Sequence, residues 1–372
     1  MRYYIIAGEA SGDLHASNLM KHLKELDAQA EFRCWGGDLM QEQGAVIVKH
    51  YRDLAFMGFV EVVANLRTIL KNIEFCKKDI LNYQPDVVIL VDYPGFNLRI
   101  AKFAKAKAFK VFYYISPQIW AWKESRVHQI KRSVNAMFTI LPFEKDFYKK
   151  YNYDVHFVGH PLLDAILNRN NKLSFAEFCL KHQLPEKPIV ALLPGSRKQE
   201  IKKMLPVMFD TSKNFPDYVF VVAAAPSIPL SFYKEVLNGN EIPIIQGATY
   251  ELLEQSSAAL VTSGTATLET ALFNVPEVVC YTGSTISYYI ARALIKVKYI
   301  SLVNLIMDKE LVKELIQNDF NVITLNKELH KLLYDENYRN NMLNGFKELK
   351  NKLGGEGASK RAAEKMIALL KN

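Results

Sequence analysis

Residues 3–13 read YYIIAGEASGD, an apolar run that breaks into small and acidic residues just before a helical stretch. A strand that turns through glycine into a helix is how a Rossmann-like unit begins, and the turn after its first strand lies against the ligand. A dinucleotide fingerprint would place glycines as G-x-G-x-x-G. Here Gly8 and Gly12 stand four apart, with Glu9 between them and Asp13 following. Two carboxylates repel a pyrophosphate, so the loop predicts an α/β unit whose first turn serves something other than a dinucleotide, and a dehydrogenase is disfavoured.

The same grammar repeats outward from this stretch. DVVILVD (86–92), KVFYYIS (110–116) and MFTILPF (137–143) are further buried-strand patterns, separated by segments with apolar residues every three to four positions. After FVGHPLLDAI (157–166) the alternation restarts with IVALLPGSR, YVFVVAAAP, IPIIQG, AALVTSG and EVVCYTG between residues 189 and 283. Strands alternating with helices imply parallel sheets covered on both faces. The 372 residues exceed what one hydrophobic core sustains. Two doubly wound Rossmann-like domains are therefore expected, residues 1–163 and 164–350, with a glycine hinge and final helix over 351–372 that either returns to the first domain or is exchanged in a dimer.

Composition excludes several classes. With 49% hydrophobic and 23% charged residues the chain is that of a globular enzyme. Its four cysteines (Cys34, Cys76, Cys179, Cys280) have no paired spacing, which argues against a zinc site or disulfide framework and for a reducing compartment. No signal-peptide pattern opens the chain, and no apolar run is long enough to span a bilayer. The net charge of +8 comes with no nucleic-acid motif. The lysines of AKFAKAKAFK (101–110) read as a solvated helix face, with contact to anionic lipid or phosphate as the alternative.

In doubly wound folds ligands gather at the carboxyl ends of the strands, which singles out four loops. Asp92, in VDYPGFN, is either a helix cap or a general base. Gly195, Ser196 and Arg197, in LLPGSR, combine a tight turn, a helix start and a forked cation, which suit an anion, the alternative being an ordinary capped turn with a surface arginine. Ser263, Gly264 and Thr265 open a helix that carries Glu269 one turn on, which is either placed to accept bonds from ribose hydroxyls or a surface residue of a capped amphipathic helix. Trp120 and Trp122, in SPQIWAWKESRV, are either core or ligand-facing aromatics. Separately, Phe56, Met57 and Phe59 bunch at the start of an apolar helical face over 56–73, a face that suits either the core or an acyl chain and membrane surface.

Taken together and in order, AGEASGD, LAFMGFVEV, VDYPGFN, YYISPQIWAWKESRV, ILPFEKDFY, FVGHPLLD, LLPGSR, SGTATLE, and YISLVNL with ELVKELIQ resemble the lipid-A-disaccharide synthases, bacterial glycosyltransferases. The resemblance implies a GT-B fold, two Rossmann-like domains facing across a cleft. It implies transfer from UDP-2,3-diacylglucosamine to 2,3-diacylglucosamine 1-phosphate (lipid X), with inversion and without a metal or other cofactor. It makes Asp92 the essential acid, Arg197 the essential arginine, and Glu269 and Asn304 donor-site residues. Glu9, Ser11, Gly12 and Asp13 become an acceptor-side loop that contacts sugar hydroxyls or supports Asp92. The family works peripherally on the cytoplasmic face of the inner membrane, and exchange of the C-terminal region in some members leaves a homodimer open. Gly95 and Val303 depart from the family, which commonly has an acidic residue and a proline there. The competing readings are a GT-B UDP-N-acetylglucosamine epimerase, which needs no acyl surface, and a non-enzymatic lipid- or nucleotide-binding protein, for which Asp92 is dispensable.

Overall fold

The computed structural model describes residues 1–54, 66–167, 169, 173–283 and 297–371. The chain forms two compact units, Met1–Leu167 joined by Leu353–Asn372, and Asn168–Lys352.

The first unit is built on a seven-stranded parallel sheet: β1 (Arg2–Ala7), β2 (Glu31–Gly36), β3 (Val46–His50), β4 (Val87–Val91), β5 (Lys110–Tyr114), β6 (Ala136–Thr139) and β7 (His156–Phe157), in the order β3-β2-β1-β4-β5-β6-β7. The second holds a six-stranded parallel sheet of β8 (Ile189–Leu193), β9 (Val219–Ala224), β10 (Ile244–Gln246), β11 (Ser256–Thr262), β12 (Glu277–Tyr281) and β13 (Lys313–Ile316), in the order β10-β9-β8-β11-β12-β13. All nine apolar runs singled out from the sequence are strands. β4 and β8 are buried along their whole length, as strands covered by helices on both faces must be.

Each sheet reverses its strand order once, between β1 and β4 and between β8 and β11. Register places Ala7 beside Val91 in the first and Leu193 beside Val261 in the second. The loops that begin at Gly8 and Asp92 therefore leave one switch point together, as do those that begin at Pro194 and Ser263. This is where an open α/β sheet leaves a crevice for its ligand.

The final helix, Ala358–Lys371, packs on the helices Ala10–Leu26 and Pro161–Leu167 of the first unit. The Asp164 carboxylate caps it, accepting from the backbone N–H groups of Gly357 (2.6 Å), Ala358 (3.3 Å) and Ser359 (2.8 Å). Gly354 and Gly357 have φ of +86° and +84°, a backbone that side chains with a Cβ adopt at a cost. Arg361 closes the turn by donating to the carbonyls of Val158 and Gly354.

Candidate active site

Asp92 ends β4 in a conformation its side chain disfavours. It and Tyr93 have φ of +43° and +46°, a left-handed pair of non-glycine residues that carries about 1–3 kcal/mol of strain per residue. The surroundings hold it there. The Asp92 N–H donates to the Tyr114 carbonyl (3.1 Å), while the Asp92 carbonyl accepts from the Tyr113 hydroxyl (2.5 Å) and from Nδ2 of fully buried Asn97 (2.8 Å). Gly8 lies so close to the Tyr93 ring that a Cβ would not fit. The consequence is a half-buried carboxyl presented from a fixed backbone.

Burial, and then the nearby charge of Glu9, push the Asp92 carboxyl from 3.8 up to about 7, with the Tyr93 N–H partly opposing them. Glu9 occupies the N-cap position of the helix Ala10–Leu26 across the switch point, without a side-chain bond to the helix's amides. A carboxyl whose proton affinity is raised by burial and a neighbouring carboxylate suits acid–base work near neutral pH.

The other residues of the first loop divide. Ser11 is exposed, and Gly12 packs tightly against Ala7. Asp13 is 2% exposed, and its carboxylate accepts from the N–H groups of Gly37 (2.7 Å), Leu39 (3.1 Å) and Met40 (3.2 Å). Three otherwise unpaired amides thus hold it to the turn after β2, a supporting place rather than an open one.

Trp120 is half-buried, edge-on to Phe143 at 4.9 Å, and Trp122 is 52% exposed. Phe56, Met57 and Phe59 lie outside the described residues. Downstream on the helix Leu66–Tyr83, Ile73 is buried but Leu70 and Phe75 are each nearly half exposed, so the apolar pattern there is only partly core. Glu144, not singled out from the sequence, is buried beside this region. One carboxylate oxygen accepts from the Ile140 (3.2 Å) and Leu141 (3.0 Å) N–H groups, and burial raises its pKa to about 7. The Trp120 indole N–H and Ser116 hydroxyl are near enough to favour its charged form, yet neither is in hydrogen-bond geometry with it. Only the E of PFE, just after a strand, signalled it.

In the second unit Gly195, at φ +110°, leaves no room for a Cβ beside Glu200. The helix Lys198–Ser212 is capped at Arg197 rather than Ser196. The Glu200 carboxylate accepts from the Ser196 (3.1 Å) and Arg197 (3.2 Å) N–H groups and from Nη1 of Arg197 (3.3 Å). The amides expected to receive an external anion are thus occupied by the loop's own carboxylate. The Arg197 side chain, 68% exposed, remains open to solvent.

Gly264, at φ +156° and ψ −161°, has no described atom within 4 Å of where a Cβ would stand. The N-terminus of the helix Thr265–Leu272 is therefore open and uncapped by a side chain. Ser263 Oγ instead turns to the Ile300 carbonyl (2.9 Å). Glu269 accepts at one oxygen from the Tyr250 hydroxyl (2.9 Å), and burial raises its pKa. Asn304 is fully buried: its amide donates to the Val312 carbonyl and Glu314, and its oxygen accepts from the Leu311 and Val312 N–H groups. These bonds make it a clamp joining the helix Leu302–Met307 to β13.

The family model described as lipid-A-disaccharide synthetase matches residues 3–368. The chain belongs to the lipid-A-disaccharide synthase family. Members of this family are glycosyltransferases of lipid A biosynthesis. The chain is 38% identical to the lipid-A-disaccharide synthase of Syntrophus aciditrophicus over 99% of its own length and 97% of the relative's. It is 37% identical to lipid-A-disaccharide synthase 1 of Legionella pneumophila, with the same coverage. Among solved structures it resembles a UDP-GlcNAc 2-epimerase of Neisseria meningitidis bound to UDP-GlcNAc (TM-score 0.70, 14% identity, all of both chains). It also resembles the glycotransferase of kitacinnamycin (TM-score 0.66, 13% identity, 99% of each). Those two likenesses define a shared GT-B fold, while the family assignment rests on the sequence match. Among the described residues no helix is long and apolar enough to cross a membrane.

Proposed function

We propose that the chain transfers the diacylglucosaminyl group of UDP-2,3-diacylglucosamine to a hydroxyl of 2,3-diacylglucosamine 1-phosphate, releasing UDP and the disaccharide 1-phosphate. The observation that carries this reading is the Asp92 carboxyl, pinned at a switch point with a proton affinity near neutrality. Ionised Asp92 takes the acceptor's hydroxyl proton as that oxygen attacks the anomeric carbon and the bond to UDP breaks. A base poised near the working pH is the efficient choice for this task. Attack opposite the leaving group inverts the anomeric centre.

Donor binding falls to the second unit. Arg197 meets the diphosphate as charge develops on it, aided by the open amides before Ala266 at the helix N-terminus. Glu269, oriented by Tyr250, accepts from the ribose hydroxyls. Acceptor binding falls to the first unit, where Ser11 faces a sugar hydroxyl and Glu9 tunes Asp92. Trp120, Trp122, Leu70 and Phe75, with Phe56, Met57 and Phe59 upstream, supply apolar surface for acyl chains at the cytoplasmic face of the inner membrane.

The test is to incubate the purified chain with both lipid substrates, without added metal, and follow the products by mass spectrometry. Disaccharide 1-phosphate and UDP in equal amounts are expected. UDP alone means donor hydrolysis and refutes the acceptor assignment, and absence of both products refutes the reaction.

A further inference from the structure

We propose that Arg126, laid against the indole of Trp122, is the residue that binds the acceptor's phosphomonoester. The inference rests on the acceptor assignment above and extends it to a residue that neither the motif reading nor the family match singles out.

Three observations converge on it. The first is geometric. The Arg126 guanidinium carbon stands 4.9 Å from the centroid of the exposed Trp122 ring, and Lys123 Nζ lies 5.8 Å from the same centroid. Stacking on an aromatic face fixes the plane of a guanidinium while leaving its N–H edge free, the arrangement that grips a phosphate with two parallel bonds.

The second is the missing counter-charge. Among the described residues no carboxylate pairs with Arg126, although it is half-buried. The nearest acid in the chain, Glu124, accepts from the Tyr151 hydroxyl at 2.7 Å. A partly desolvated cation without an internal partner is a standing cost to the fold that an incoming anion offsets.

The third is position. Arg126 follows β5, which pairs directly with β4, the strand that ends at Asp92. Its charge acts on the Tyr113 phenol, opposing the upward push of burial and of Asp92. That same phenol donates to the Asp92 carbonyl. The cation is thus within electrostatic reach of the group that holds the proposed base, on the unit assigned to the acceptor. Of the two lipid substrates, the acceptor is the one that carries a phosphomonoester. Anchoring its phosphate at Arg126 holds one end of the sugar while a hydroxyl elsewhere on the ring meets Asp92.

A phosphate in this position has two sources, the acceptor or an anionic membrane lipid, and binding measurements separate them. Arg126→Ala and Arg126→Lys are titrated in detergent micelles with 2,3-diacylglucosamine 1-phosphate and with the same lipid lacking its phosphate. A urea titration followed by tryptophan fluorescence reports that the first unit of each variant is folded, and UDP titration reports the same of the second. Losing a charge-assisted pair weakens binding about 10- to 100-fold. That loss is expected for Arg126→Ala with the phosphorylated lipid only, with a smaller loss for Arg126→Lys and UDP affinity within twofold. Sedimentation with phosphatidylglycerol vesicles is expected to be unchanged. Equal losses with both lipids, or reduced vesicle binding at unaltered acceptor affinity, overturn the proposal. Because binding is read without turnover, a chain that prefers the phosphorylated lipid yet transfers nothing refutes the reaction and leaves this site standing. A chain that transfers while ignoring the phosphate does the reverse.

Discussion

Replacing Asp92 by Asn is expected to make the protein both less active and more stable, and the stability gain has a defined pH dependence. Burial and Glu9 hold the folded carboxyl at about 7 against 3.8 for the exposed group. Between those values the folded chain keeps a proton that the unfolded chain has released. Stability therefore falls as pH rises toward 7, and levels off above it. From pH 5 to pH 8 the wild-type chain crosses two pH units of this slope, about 3 kcal/mol at 1.36 kcal/mol per unit. Asn cannot ionise and escapes the loss. All three tryptophans, Trp35, Trp120 and Trp122, lie in the first unit, so their fluorescence follows the unfolding of the unit that contains Asp92. Urea titrations at pH 5 and 8 should show the advantage of Asp92→Asn growing by about 3 kcal/mol between them. Taking the difference between two pH values removes any constant effect of the amide on packing. An advantage of the same size at both would refute the claim that Asp92 is held near neutrality.

Other perturbations separate supporting roles from direct ones. Glu9→Gln removes the second cause of the Asp92 shift, so the rise of kcat/KM with pH should move to lower pH while UDP affinity stays constant. Asp13→Ala leaves three backbone amides without their acceptor; about 2–4 kcal/mol of stability should be lost in the same fluorescence assay, because buried unpaired donors are costly. Arg197→Ala should weaken UDP binding about 10- to 100-fold in calorimetry, with Arg197→Lys restoring only part of it, since a lysine lacks the planar fork. Tyr250→Phe should raise the donor KM by a few fold through Glu269 and leave acceptor binding unchanged.

Much of the fold was legible because parallel strands buried on both faces leave unbroken apolar runs such as VVILV and IVALL. Of the four described strands outside those runs, β7 spans only two residues, and the other three have settings visible only in three dimensions. β2 includes Arg33, which is charged inside the sheet because Asp79, 46 positions away, pairs with it at 2.7 Å. β3 is an edge strand with Val46 59% exposed. β13 is also an edge, and Glu314 on it caps the Ile300 and Ser301 N–H groups from a distance no local pattern encodes.

The site followed the same division. Strand-end position pointed to Asp92, Arg197 and Glu269 as candidates, since the carboxyl edge of a doubly wound sheet is where ligands bind. Position alone could not tell an outward carboxylate from an inward one. Asp13 and Asn304 have side chains of the type and setting expected at a ligand, yet backbone amides of Gly37 and Leu311 claim them. Arg126 and Glu144 were hidden for the opposite reason. Their environment is assembled from an aromatic ring or backbone amides rather than from a recognisable spacing.

The most direct test of the account pairs turnover with donor binding in Asp92→Asn. Transfer to 2,3-diacylglucosamine 1-phosphate should fall at least about 10²-fold, the usual contribution of a general base, while UDP affinity measured on the same sample stays within twofold of wild type. Turnover near the wild-type rate, with the protein folded and UDP bound, would contradict the assignment of Asp92 as the base.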